Sequence, residues 1–320
     1  MTRSIRIATA FAPHALAGRV AVALSGGLDS MVLLDLAAQT LRGHEGVTLE
    51  AIHVHHGLST HADHWAQFCQ RECAAREVPL TIRRVRIDRD NTGGQGVEAA
   101  ARHARYQAFV ECGARFVLAA QHLDDQAETV LHQLLRGTGW AGLAGMGEAR
   151  ALTRETTLIR PFLHFSRAEL EDYAKAAGLS WIEDESNADT AYTRNFLRHA
   201  VMPLIAQRFP HYRASLSRAA RHAAEADGLL EALAKIDLRW DGSQAFAAPL
   251  DLLPIERQTN ALYHWLQWQG VPPPSHAQLS EWARQLFRPA PADKPHQAGG
   301  HGVMILRRNG VLNLDPRQTP

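Results

Sequence analysis

The sequence predicts an α/β fold, a parallel sheet covered by helices, followed by a second, smaller and mainly helical domain. Three observations predict it. Apolar strand-like runs alternate with Ala/Leu-rich helical patterns from residue 20 to about 165. An unbroken apolar strand, Val20-Ala21-Val22-Ala23-Leu24, runs straight into a Ser25-Gly26-Gly27-Leu28-Asp29-Ser30 turn and then an amphipathic helix. With 320 residues, 46% of them hydrophobic, the chain is long enough for two domains with real cores.

In chain order, strands are expected at 20–24, 47–55, 80–87, 116–120 and 158–160, with helices between them at 30–41, 61–76, 96–112 and 124–135. Ser166 and Glu169 form a capping box that opens a helix ending at Gly178. A helical stretch over 189–207 is broken by Pro203, and two more follow at 212–236 and 254–269. Pro, Ala and Gly crowd residues 288–302, which read as a loop. Beyond it, apolar runs at 303–308 and 311–314 flank Asn309-Gly310, a type I′ hairpin signal, since both residue types tolerate φ > 0. The domains are expected at 1–215 and 216–320.

Composition excludes some classes. Cys69, Cys73 and Cys112 are an odd set without a CxxC pair, so neither a disulfide framework nor a four-thiolate metal site is supported, and a reducing cytoplasmic setting is expected. No run approaches the ~20 apolar residues of a membrane span, so no membrane partner is expected. A net charge of +1 says nothing by itself about nucleic acid, because a basic stripe can coexist with acidic surface elsewhere.

The turn over 25–30 reads as a cradle for nucleotide phosphates. Two adjacent glycines lack Cβ, so backbone N–H groups can approach phosphate oxygens closely, and the helix starting near Ser30 adds its positive end. Ser25 and Ser30 supply hydroxyls. Asp29 is a poor neighbour for bare phosphate and makes sense if Mg²⁺ sits between them. The Gly-Lys-Ser/Thr ending of a Walker A loop is missing, as is G-x-G-x-x-G. A lone Gly-Gly turn would equally suit a plain strand-turn-helix; the flanking Ser and Asp-Ser favour the cradle.

The segment 118–129 sits where a parallel strand ends and its helix begins, the place where open α/β sheets bind ligands. Asp124 and Glu128 share a helix face with Asp125 in the first turn, a carboxylate cluster for Mg²⁺ or a substrate ammonium. The bland alternative is that these acids only cap the helix. His122 suits either general acid/base work or a structural role. Residues 136–146 carry four spaced glycines, either a loop closing over substrate or a plain connector. His53, His55 and His56 invite a zinc reading, but a strand sends His53 and His55 to one face without the further ligands that tetrahedral zinc needs; adenine packing at this strand end is preferred.

Between residues 191 and 224 stand six arginines (194, 198, 208, 213, 218 and 221) with no Lys, Asp or Glu. Such one-signed charge repels itself unless a polyanion neutralises it, which points to RNA or nucleotide phosphates; pairing with the acidic loop at 183–189 is the alternative. Trp265, Trp268 and Trp282 are expected to fill a core rather than stack on bases.

In order, these motifs resemble the bacterial tRNA(Ile)-lysidine synthetases of the PP-loop ATP pyrophosphatase superfamily. The resemblance rests on Ser-Gly-Gly-Leu-Asp-Ser at 25–30, His-Val-His-His-Gly-Leu at 53–58, Gly-Val-Glu-Ala-Ala-Ala-Arg-His-Ala-Arg-Tyr at 96–106 and His-Leu-Asp-Asp-Gln-Ala-Glu-Thr at 122–129. It continues with Arg-Gly-Thr-Gly-Trp-Ala-Gly-Leu at 136–143, Ile-Arg-Pro-Phe-Leu at 159–163, and Asp-Glu-Ser-Asn followed by Arg-Asn-Phe-Leu-Arg within 184–198. It covers most of residues 18–210. It implies an adenine nucleotide alpha hydrolase-like PP-loop domain joined to a helical tRNA-recognition domain, and an ATP-dependent, Mg²⁺-assisted ligation. In that reaction the C2 oxygen of the wobble cytidine in the CAU anticodon of tRNA(Ile) is adenylated, pyrophosphate leaves, and L-lysine displaces AMP, changing the codon read from AUG to AUA.

Carried over, Ser25, Gly26, Gly27, Leu28, Asp29 and Ser30 would bind ATP, with Asp29 on Mg²⁺. Arg102 or Arg105 would neutralise pyrophosphate, Arg105 being taken into the catalytic set. His122 and Asp125 would position lysine or the reacting centre, and Arg194 would contact ATP or the adenylated base. Ser59 and Gln121 depart from the family pattern, and the chain is expected to lack the further C-terminal domain of longer members. The rivals are another PP-loop enzyme, such as a thiolase or an amidating synthetase, and a non-catalytic RNA-binding module. The oligomeric state is left open, with a homodimer as one option.

Overall fold

The computed structural model describes residues 11, 16–87, 96–184, 190, 192–287, 296–300 and 302–315. The chain divides into two compact units, Met1–Arg221 and His222–Pro320.

In the first unit, β1 (Gly18–Ala23), β2 (Val47–His55), β3 (Leu80–Arg84), β4 (Phe116–Leu118), β5 (Ala149–Ala151) and β6 (Thr157–Ile159) form one sheet in the order β3-β2-β1-β4-β6-β5. All pairings are parallel except that of β5 with β6. β1 is the central strand, and Val20, Ala21 and Val22 are fully buried, as a parallel strand covered on both faces requires. The connecting helices are α1 (Leu28–Leu41), α2 (Ala62–Ala75), α3 (Gly96–Glu111) and α4 (Leu123–Leu135). In α1 the residues Met31, Val32, Leu33, Leu34 and Leu36 look in all directions and are all buried, so this helix lies inside the unit. It joins a core that includes Leu118, Phe162, Leu170 and Tyr173.

Further on come α5 (Trp140–Leu143), α6 (Arg167–Ala176), α7 (Thr193–Phe196), a π-helical turn (Leu197–Val201), α8 (Met202–Arg208) and α9 (Tyr212–Asp237), which crosses from one unit into the other. The expected break at Pro203 takes the form of this π turn. Pro203 has no N–H to return to the carbonyl four residues back, and the helix relaxes just before it.

Several expectations need adjusting. Helix α1 begins at Leu28, not near Ser30, because Gly27 is in an extended conformation and acts as N-cap, which puts Asp29 in the first turn. Strand β5 is three exposed residues with no apolar alternation, and α5 interrupts what reads as a glycine loop. Strand β7 (His296–Gly300) lies within the stretch read as a loop; Ala298 is its one buried apolar side chain, while residues 288–295 lie outside the described set.

The second unit holds α10 (Ile255–Trp268), α11 (His276–Phe287) and an antiparallel sheet of β7, β8 (Val303–Arg308) and β9 (Val311–Leu314). Trp265 and Trp282 are buried in its core with Leu262, Leu286, Phe287 and Ile305. Trp268 leans on Trp240, centroids 4.9 Å apart, and donates Nε1–H to Glu231. The β8–β9 turn has φ of 50° at Asn309 and 75° at Gly310, as a type I′ turn demands. Among the described residues no helix is long and apolar enough to cross a membrane.

Candidate active site

The strand order places the site. Successive units step outward from β1 to β2 and β3, and the chain then returns to lay β4 on the other side of β1. The loops leaving β1 and β4 therefore diverge, and a crevice opens at their carboxyl ends. Residues 24–27 leave β1, and His122 opens the helix after β4. A cleft of about 610 Å³ lies here, lined by Ser25, Gly27, Asp29, Arg105, Asp125 and Arg198 among others.

The loop is built around one hydroxyl. Ser30 Oγ donates to Gly27 O at 2.9 Å and accepts from the amides of Ser25 and Gly26, both at 3.2 Å. Ser25 Oγ lies 3.1 Å from Ser30 Oγ and accepts from the Gly27 amide at 3.3 Å. In this structure those amides close the turn on itself, where the sequence reading aims them at phosphate. The N-terminus of α1 has no side-chain cap, so its first-turn N–H groups remain for an anion. The two glycines also differ. Gly26 is buried with φ of 90°, and a Cβ there would meet Ile182 Cδ1 at 2.7 Å; its role is the turn itself. At Gly27 a Cβ would meet only Ser25 Oγ at 3.5 Å and Ile182 O at 4.0 Å, so the protein itself has room for a side chain at this cleft-lining position.

His122 is 2% exposed and sits behind the carboxylates rather than in the cleft. Its Nδ1 accepts from Asp125 N at 3.3 Å while Asp125 Oδ2 accepts from His122 N at 3.2 Å, a capping box with histidine in the serine position. In the neutral ring an Nδ1 that accepts puts the proton on Nε2, which faces Asp125 Oδ2 at 3.4 Å and Asp29 Oδ2 at 3.6 Å. Burial alone would raise the Asp29 carboxyl, but the hydrogen bond and charge of His122, with Arg167 and Arg198, hold it below the usual range. Burial alone would lower the His122 imidazole, but Asp125, Asp29 and Asp124 raise it above its ordinary value.

The acids of α4 are largely matched by arginines from later in the chain. Arg194 reaches Asp125 Oδ1 and Glu128 Oε2, each at 3.2 Å, and Arg198 reaches Glu128 Oε1 at 2.7 Å and Asp125 Oδ1 at 2.9 Å. Arg213 pairs with Asp124, whose other oxygen caps the Arg167 amide at 2.9 Å. Three of the six arginines are thus neutralised within the chain, by acids of α4. Asp124 and Asp125 cap helices, as the bland reading expects, and they also hold arginines, which neither reading foresaw. Of the arginines carried over, Arg105 lines the cleft, whereas Arg194 stands behind it on Asp125 and Glu128.

Sequence reasoning missed Arg167, which reaches Asp29 Oδ2 at 3.3 Å, and the place of Arg198 in the cleft. No local signal marks Arg167, an ordinary first residue of a helix. Arg198 had one: it lies four residues from Arg194 and so shares a face with it, opposite Asp125 and Glu128, three residues apart on α4. The glycine-rich segment is tied down at its end, where the Gln126 amide accepts from Met146 N at 2.8 Å and donates to Met146 O at 3.1 Å. His53 bonds Leu24 O through Nδ1 at 2.8 Å, and His55 faces Asp63 and Arg84, so the two serve different neighbours. His56 lines the cleft; burial first, then Arg105, pushes its imidazole down to about 4, and its buried Nδ1 has no hydrogen-bond partner among the described residues.

Asp29 suits a magnesium ion. Its Oδ1 is buried and accepts no hydrogen bond from the described residues, while Oδ2 is held by its neighbours. Magnesium in nucleotide sites commonly takes one or two carboxylates together with substrate phosphates, and Asp29 beside an uncapped helix N-terminus matches that donor set.

A glycine turn at the switch point of a parallel sheet, with its carboxylate at the helix start, defines a PP-loop ATP-binding domain. Residues 2–205 match the PP-loop domain family and residues 247–312 match the TilS substrate binding domain. The chain is 48% identical over 259 residues to a tRNA(Ile)-lysidine synthase of Pseudomonas fluorescens, covering 77% of this chain and 57% of that protein. It is 44% identical to the tRNA(Ile)-lysidine synthase of Chromobacterium violaceum over 94% of this chain and 68% of that one. The chain belongs to the tRNA(Ile)-lysidine synthase family. It spans less than two thirds of the length of the Pseudomonas relative. Among solved structures, a U34-tRNA thiolase from Methanococcus maripaludis is 17% identical, with a TM-score of 0.59 over 70% of this chain and 78% of that one, a likeness of fold alone.

Proposed function

We propose that the chain is a tRNA(Ile)-lysidine synthase: an ATP-dependent ligase that joins L-lysine to C2 of the wobble cytidine in the CAU anticodon of tRNA(Ile). The C2 oxygen attacks the α-phosphorus of ATP and pyrophosphate leaves; the lysine amine then attacks C2 and AMP leaves. The observation that carries the reading is Asp29 held against His122 at the ends of adjacent strands β1 and β4, with Asp125, Arg105 and Arg198 lining the same cleft.

Each residue then has a task. The uncapped N-terminus of α1 takes the phosphates of ATP, with Gly27 giving room for close approach and Ser30 holding the turn that presents it. Asp29 would hold Mg²⁺, which when bound offsets phosphate charge. Arg105 receives the charge that develops on pyrophosphate. Asp125 orients lysine at the cleft wall, and Arg194 and Arg198 fix Asp125 and Glu128 in place. His122, buried, is a positioning residue that sets Asp29 and Asp125 relative to each other. The reading places the protein in the cytoplasm, and its three cysteines are all free.

The test is purified protein with ATP, Mg²⁺, lysine and unmodified tRNA(Ile) bearing CAU. Release of AMP and pyrophosphate with lysine incorporation is expected. RNA binding without any pyrophosphate release would overturn the ligase in favour of a binding module.

A further inference from the structure

A second group of arginines borders the cleft, and unlike the first it forms no ion pair with an acid among the described residues. Arg102 on α3 lies with its guanidinium carbon 5.0 Å from the ring centroid of Tyr106, and Arg150 on β5 lies 5.5 Å from the same centroid. Arg160, directly after β6, is 2% exposed; its Nη1 donates to Gly147 O at 2.6 Å, Tyr106 is its other polar neighbour, and its Nε is buried with no acceptor among the described residues. Arg102 and Tyr106 line the cleft.

Charge makes this arrangement costly as it stands. A buried guanidinium is tolerated when a carboxylate or other anion faces it. Arg194, Arg198 and Arg213 have such partners in Asp125, Glu128 and Asp124. Among the described residues no carboxylate forms an ion pair with Arg102, Arg150 or Arg160, and Arg102 and Arg150 repel Arg160 enough to help burial lower its affinity for its proton. The fold nevertheless holds the three together: β5 is anchored beside β6 with Arg150 opposite Leu158, and the Arg160 amide donates to Glu148 O at 2.8 Å.

We propose that Arg102, Arg150 and Arg160, gathered round Tyr106, form a seat for a backbone phosphodiester of the RNA substrate, separate from the loop that takes the nucleotide phosphates. This rests on the tRNA-modifying reading above. Arg102 and Arg150 are exposed, so they can meet a chain arriving from solvent, whereas the triphosphate belongs at the uncapped N-terminus of α1. Both guanidiniums lie over one ring, a cation–π contact that orders them before the RNA arrives and favours two-point contact with a phosphate.

The full chain is compared with Arg150→Ala, Arg150→Glu and Arg150→Lys by fluorescence anisotropy with unmodified tRNA(Ile) bearing CAU over a salt series, alongside KM for ATP and for lysine. Arg150→Ala should weaken RNA binding on the order of tenfold and lower the salt slope by about one, with KM for ATP and lysine unchanged. Arg150→Glu should be weaker still, and Arg150→Lys should retain most of the affinity. Wild-type affinity and slope in both Ala and Glu variants would overturn the seat while leaving the ligase reading intact. A rise in KM for ATP or lysine with RNA affinity preserved would overturn it by assigning the arginines to the small substrates. Failure of the wild type to bind this RNA would overturn both.

Discussion

Asp29 Oδ2 stands 3.6 Å from His122 Nε2, linking the first turn of α1 to the N-cap of α4. The two helices follow adjacent strands, so this contact bridges the loop and the acids of α4. It also leaves Asp29 Oδ1 without a partner among the described residues. One carboxylate oxygen is held by the protein, and under the proposed function the other serves the chemistry.

Asp29→Ala should therefore abolish adenylation, with pyrophosphate release down by at least about a hundredfold, while affinity for the tRNA stays near wild type. Pyrophosphate release and RNA binding are measured on the same preparation. Unimpaired turnover would refute the role given to this side chain.

The two loop glycines should separate stability from binding. Gly26→Ala forces a Cβ to 2.7 Å from Ile182 Cδ1 at a φ of 90°, and should cost on the order of 2–3 kcal/mol by urea denaturation. Gly27→Ala meets only ordinary contacts and should stay within about 0.5 kcal/mol of wild type, yet raise KM for ATP by about tenfold or more because the side chain stands where phosphate must approach. Equal effects of the two on stability and on KM would contradict this division.

Much of this was legible in the sequence because the first unit obeys local rules. Apolar strands such as 20–24 end in polar turns, and capping boxes announce helices at Ser166. The site was legible only in pieces. His122-x-x-Asp125 is a capping pattern, but nothing local shows that the same ring reaches Asp29, because that contact depends on β4 lying beside β1. Arg167 was invisible for the same reason. The arginine run was legible only in part: half of its charge is met by acids more than sixty residues earlier, at Asp124, Asp125 and Glu128, a pairing that exists only once α4 and the π turn face each other. Strand β5 was missed because three exposed residues carry no periodicity to read.

The histidines set opposite pH dependences. His122 is raised in the fold, so its contribution to stability is complete below its unfolded value near 6.5 and is lost as pH rises through the higher folded value. Asp29 is lowered, so its contribution is present above its unfolded value near 3.8 and is lost as pH falls through the folded one. His56, at about 4 in the fold, stays neutral, and stability falls as pH drops from 6.5 toward 4 because only the unfolded chain takes up that proton. Proton NMR should give His56 a midpoint near 4 and His122 one above 6.5, and thermal melts of His122→Asn should lack the alkaline decline expected of the wild type. A His56 midpoint at the ordinary imidazole value would contradict the burial argument.

Beneath the site a buried polar cluster ties α1, which carries Asp29, to α6, which carries Arg167. Tyr173 donates its hydroxyl to Asp35 Oδ2 at 2.9 Å, Gln39 donates to the same oxygen at 2.7 Å, and Arg76 Nε reaches Asp35 Oδ1 at 3.2 Å. Burial, then Asp35, pushes the Tyr173 phenol up to about 12, so it remains a donor throughout the working range. Tyr173→Phe removes one of three donors to Asp35 and should cost about 1 kcal/mol in urea denaturation. Asp35→Ala leaves the phenol and Arg76 Nε without their acceptor, although Arg76 keeps Glu72 through Nη1 at 2.7 Å, and should cost about 2 kcal/mol. Since the two act through one contact, the double variant should be little less stable than Asp35→Ala alone; full additivity would show that Tyr173 and Asp35 stabilise the unit independently.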